Sequence, residues 1–173
     1  MKNAPWCHFS TACTPPAHFA QNCDMRSILL LLALSAGCAP RPVEVVTRDG
    51  AWSLNDLLRQ HPIDAGANIR ADMIARTPTS TVHLVQIHGG ETPHRHMTHD
   101  LTVTVLRGEG RVTIDGAARS VAAGDVVVIP RGVAHFFVRT GRETAVSLAV
   151  YAPPMDVPDT VPVADVDSAQ VPR

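Results

Sequence analysis

Between Ile69 and Tyr151 the chain is a succession of short apolar runs, each closed by turn residues. Runs this short suit strands and leave no room for long helices. Ile69–Arg76 and Thr81–His88 are separated by Thr77, Pro78, Thr79 and Ser80. Leu101–Leu106 ends at Gly108 and Gly110, and Arg111–Ile114 ends at Asp115-Gly116, a strong hairpin signal. Val126–Ile129 ends at Pro130-Arg131-Gly132. Val133–Val138 and Thr144–Tyr151 follow, split around Gly141. Even spacing of this kind predicts an all-β, antiparallel double-sheet barrel or sandwich. One short helix precedes it. Ser53 is its expected N-cap, Leu54, Leu57 and Leu58 form its apolar face, and Pro62 stops it. His61 is expected as a last-turn cation on that helix.

The 173 residues carry a formal net charge of −1, which argues against nucleic acid or an anionic membrane surface as partner. The four cysteines, Cys7, Cys13, Cys23 and Cys38, all precede the β region. That region is therefore expected to hold no disulfide and no thiolate metal site.

Arg26 is followed by an apolar run from Ile28 to Leu34, then by Ser35-Ala36-Gly37 and Cys38. This is the layout of a secretory signal, and the run is shorter than the roughly 20 residues of a membrane-spanning helix. A cysteine directly after small residues resembles a bacterial lipobox. The resemblance implies lipidation at Cys38 and a protein exported to the bacterial cell envelope, anchored by lipid and facing the periplasm. Leu34 sits one place further from Cys38 than that pattern has it. The expected organisation is an extension upstream of the true start (1–24), a signal peptide (25–37), a tether (38–50), a barrel (51–152), and an extended or disordered tail (153–173).

His94 and His96 are separated by one residue, so in an extended segment both rings lie on one face. His135 comes from a distant segment, just past the Pro130-Arg131-Gly132 turn, and a closed barrel would bring it to the same point. Three neutral imidazoles leave coordination positions open for water or a ligand. They suit a divalent transition metal, Fe, Mn, Ni, Cu or Zn, without choosing among them.

Gly124, Pro130, Gly132 and His135 carry a resemblance to the cupin superfamily. They match its second motif, Gly-x5-Pro-x-Gly-x2-His-x3-Asn, except that Arg139 replaces the final Asn. His94, His96 and Gly108 match the first motif, while Gly89 and Gly90 lie one or two places too close to the histidines. The resemblance covers about Val82 to Tyr151. It implies a jelly-roll barrel, a small-molecule ligand or substrate and, in many members, a homodimer.

The family's acidic ligand falls here at Leu101, an apolar residue on the inward face with Val103 and Val105. Asp100 is the candidate fourth ligand. His99 is an alternative ligand, or a neighbour that orients one. Phe137 and Arg139 share the face of His135. Phe137 is expected in the pocket floor, and Arg139 at the rim or against an anionic ligand group. His83 and His88 are expected on the strand surface, without a role. Two functions follow from the resemblance. One is a metal-dependent oxygenase, isomerase or lyase acting on a small polar molecule. The other is an envelope module that binds metal or ligand without turnover. No general base can be placed from sequence.

Overall fold

The computed structural model describes residues 42–163. The expected upstream extension, signal peptide, Cys38 and the last ten positions of the tail lie outside them. The chain runs β1 (Glu44–Thr47), β2 (Gly50–Ser53), α1 (Leu54–Gln60), β3 (Ile69–Arg76), β4 (Thr81–Ile87) and β5 (His94–His96). It continues β6 (Asp100–Arg107), β7 (Glu109–Ile114), β8 (Ala117–Ala122), β9 (Val126–Ile129), β10 (His135–Arg139), β11 (Ala145–Ala152) and β12 (Thr160–Pro162).

Two five-stranded sheets form the body, in the orders β12-β5-β10-β7-β8 and β3-β4-β11-β6-β9. All pairings are antiparallel. This is the antiparallel double-sheet architecture that the strand rhythm predicts, in the jelly-roll form that the cupin resemblance implies.

Between the sheets lie Val85, Ile87, Leu101, Val112, Val127, Ile129, Ala149 and Tyr151, with Phe137 packed against them. A second cluster, Val45, Leu54, Leu57, Leu84 and Val146, places the β1–β2 hairpin and α1 against the other face of the β4–β11 sheet. Strand β4 is thus covered on both faces. Leu84 and Val85 point to opposite sides, yet are 0% and 7% exposed. Helix α1 starts where the sequence places it: the Ser53 hydroxyl accepts from Asp56 N at 3.1 Å and donates to the Asp56 carboxylate at 2.6 Å. The Asp115-Gly116 turn links β7 to β8, and both residues have positive φ, 48° and 77°.

Three boundaries differ from the sequence reading. The tether expected over 38–50 already contains β1. Strand β8, with its alanines, arginine and serine, has too little β propensity to be read as a strand. Part of the expected tail is β12, a sheet strand paired with β5.

Candidate metal centre

Strand β5 presents His94 and His96, and β10 begins with His135, directly opposite His94 in the sheet. The turn before His135 uses Gly132 at φ 79°, a conformation that glycine tolerates best. One ring nitrogen from each of the three histidines lies within 4.8 Å of the other two. The ring centroids are 5.2 Å (His94–His96), 4.4 Å (His94–His135) and 5.5 Å (His96–His135) apart.

Each ring is oriented by an oxygen at Nδ1. His94 faces the Thr92 carbonyl at 2.8 Å, His135 the Val133 carbonyl at 3.0 Å, and His96 the Asp159 carboxylate at 2.9 Å. A proton on Nδ1 satisfies each contact and leaves Nε2 as the lone-pair donor. The His135 Nε2 is buried and has no hydrogen-bond partner among the described residues. A buried polar atom without a partner is costly, and a metal ion would satisfy it. Burial, helped by the neighbouring His94 and His96, pulls His135 down to about 4 against the Val133 carbonyl. Burial also lowers His96, although Asp159 opposes it. Both rings are therefore neutral near pH 7, the state that ligates. Donor type, convergence and the orphaned nitrogen all fit a divalent transition metal.

Asp100 is not part of this set. Its carboxylate is half exposed and pairs with Arg131, accepting from Arg131 N at 3.0 Å and Nη2 at 2.6 Å. Those hydrogen bonds hold Asp100 down at about 2. The inward strand positions are occupied by Leu101, Val103 and Val105, as alternation predicts, and all three line the cavity. His99 is buried beside the centre. Its Nδ1 lies 2.9 Å from the second oxygen of Asp159, and its Nε2 lies 3.3 Å from the Pro154 carbonyl. It neighbours His96 through that shared carboxylate. Phe137 lines the cavity as expected.

Arg139 does not reach the cavity. Its guanidinium donates to the carbonyls of His88 at 2.5 Å and Gly141 at 2.7 Å, tying the β10–β11 turn to the end of β4. His83 is buried rather than on the surface, 5.0 Å from the Tyr151 ring, with Nε2 3.2 Å from the Thr81 hydroxyl. His88 is half-buried and faces the Ala67 carbonyl at 2.9 Å.

The histidines line a cavity of about 110 Å³. That is several times the roughly 10–15 Å³ one water needs on the same measure, so a small molecule can enter. Two groups there are not apparent from sequence. Glu91 lines the cavity, and its Oε2 accepts from Phe137 N at 3.0 Å. Burial raises its pKa against the pull of His94 and of that N–H. Tyr151 packs edge-on to His96 at 5.2 Å, and burial, with Glu91 and Asp159 nearby, pushes its hydroxyl up to about 12. Tyr151 shares the inward face of β11 with Ala149, a period-2 signal that could have found it. Glu91 precedes Pro93 and the regular strand, where alternation has no purchase.

Residues 81–151 match the family model for the Cupin domain. An uncharacterized protein of Aquifex aeolicus (strain VF5) is 41% identical over 87 residues, which is 50% of this chain and 71% of that protein. The structure of KdgF from Halomonas sp. is similar at 27% identity, with a TM-score of 0.51 over 57% of this chain and 91% of that one. Streptomyces PAC13 with uridine shares the fold at 18% identity, with a TM-score of 0.52 over 61% of this chain and 87% of that one. The matched segment holds all three histidines and the strands that carry them, and the chain belongs to the cupin superfamily.

Proposed function

We propose that this chain is an exported metal-dependent cupin that binds and transforms a small uncharged molecule at its three-histidine centre. The observation that carries the reading is the buried, unpartnered Nε2 of His135, aimed at the same point as the ligand atoms of His94 and His96. A divalent ion held by these three histidines would supply Lewis acidity toward a ligand oxygen.

The rest of the cavity speaks to the ligand. Its lining is mostly aliphatic, and among the described residues no lysine or arginine contributes to it. An anionic ligand would find no protein cation there. An uncharged molecule with an apolar body and one or two oxygens fits better. PAC13, a neighbour in fold, is solved with uridine, an uncharged nucleoside. Glu91 stands in the same cavity, and burial raises its pKa above the ordinary carboxyl value, the direction a proton-transfer group working near neutral pH needs. Tyr151 keeps its proton at that pH and can donate a hydrogen bond to a ligand oxygen.

The aliphatic Leu101 at the family's acidic-ligand position favours a second reading, an envelope module that binds without turnover. Proton NMR of the metal-loaded protein with a panel of neutral hydroxy and keto compounds separates the two. Turnover lost in both His135→Ala and Glu91→Gln supports the enzyme. Saturable binding without product supports the module, and protein that retains no metal sinks the enzyme. The lipid anchor at Cys38 rests on the signal-like layout before it. Incorporation of a labelled fatty acid in the native host, lost in Cys38→Ser, tests it.

A further inference from the structure

Strand β5 carries two of the three histidines, yet it is three residues long and meets β10 at a single register pair, His135 with His94. Its other edge is paired along its whole length by β12: Thr160 with His96, Val161 with Arg95, and Pro162 with His94. The pairing continues through Val163 N to the Pro93 carbonyl at 3.0 Å. Immediately before β12, the carboxylate of Asp159 gathers four donors. Oδ1 faces His96 Nδ1 at 2.9 Å. Oδ2 faces Thr98 N at 2.8 Å, the Thr98 hydroxyl at 2.7 Å and His99 Nδ1 at 2.9 Å.

The segment leading there is fastened to the barrel at several points. Met155 N donates to the Thr81 hydroxyl at 3.1 Å, and the Met155 side chain packs against the core. Asp156 pairs with Arg76, and the Pro154 carbonyl meets His99 Nε2.

We infer that Asp159 is the positioning residue of the metal centre, and that docking of residues 153–163 and metal binding stabilise each other. This rests on the metal reading proposed above. Without the Asp159 carboxylate, His96 Nδ1 loses its acceptor and its ring is free to turn Nε2 away from the other two histidines. Without β12, β5 keeps one register pair in the sheet. By linkage, an ion that holds His94 and His96 in place favours the docked strand, and the docked strand favours the ion to the same degree.

The full chain is titrated with Co²⁺, as wild type and as Asp159→Asn. We expect Asp159→Asn to bind about 10–100-fold more weakly, the usual loss when the partner of a ligating histidine is removed. In the metal-free protein, the Nδ1–H resonance of His96 is expected in wild type and absent in Asp159→Ala, which leaves that nitrogen without its acceptor. A change of general stability alone would not remove it. In wild type, Co²⁺ is expected to slow amide exchange at Val161 and Val163, whose N–H groups face β5, a measurement that stands even if the variant fails to fold. Unchanged Co²⁺ affinity in Asp159→Asn, or exchange at Val161 and Val163 indifferent to metal, overturns the inference. Wild type that binds no Co²⁺ but shows the His96 N–H resonance refutes the metal reading and the linkage, while leaving Asp159 as the anchor of that ring.

Discussion

The carbonyl oxygen of Val133 accepts from His135 Nδ1 at 3.0 Å, across a single intervening residue, and so turns the other ring nitrogen into the barrel. That nitrogen has no partner among the described residues. His135→Ala removes a donor outright. The loss of metal affinity should exceed the roughly 10–100-fold expected from disturbing a ligand's own partner. Elemental analysis of dialysed protein checks it.

The metal-free protein should lose stability in mild acid. Burial holds His135 at about 4, below the ordinary 6.5. The unfolded chain therefore takes up a proton near 6.5, and the folded chain only near 4. Stability from this group is full above about 6.5 and falls by roughly 1.4 kcal/mol per pH unit as pH drops toward 4, about 3 kcal/mol in all. His96, lowered mainly by burial, acts in the same direction. Calorimetry of the metal-free protein should show Tm falling by roughly 10 °C between about pH 7 and pH 4.5. Asp159 acts in a lower window. Burial would raise it, but donors from Thr98, His99 and His96 outweigh that and hold it below the usual carboxylate range. Its contribution is lost only as pH falls below about 3.8.

Apart from β8, the strands from 69 to 151 are legible in the sequence because each apolar run is bounded by residues that force a turn, and because inward and outward positions alternate. The histidine centre is legible for the same reason: period 2 pairs His94 with His96, and the Pro130-Gly132 turn announces His135. What escapes is whatever depends on contact between distant or irregular segments. Asp159 lies in a proline-rich stretch with no periodicity, and only the fold brings it to His96, sixty-three positions earlier. His83 could face either side of β4, since histidine suits both. Arg139 has the parity of a cavity residue, but its length lets it bend back to backbone carbonyls.

Asp100→Asn should leave Co²⁺ affinity within about two-fold of wild type, because substitutions away from a site's contacts have small effects. The carboxylate is bound to Arg131 at the surface, not to the histidines. A large loss would mean that Asp100 leaves Arg131 and reaches the ion.

Gly110→Ala tests how the cavity keeps its shape. Gly110 lies on β7 opposite Arg139 of β10, and the Phe137 ring occupies the space where a Cβ at Gly110 would stand. That Cβ would also come within 2.6 Å of the Val138 carbonyl oxygen. The ring must therefore move, and the cavity it lines is the space open to it. Overpacking of this kind costs about 1–3 kcal/mol. Denaturant titration should show that loss, with metal content unchanged and any cavity ligand bound more weakly. A Gly110→Ala/Phe137→Leu double variant should be more stable than the sum of its single changes predicts, because the shorter side chain vacates the contested space. Strict additivity would mean that the backbone at Val138, rather than the ring, absorbs the new methyl group.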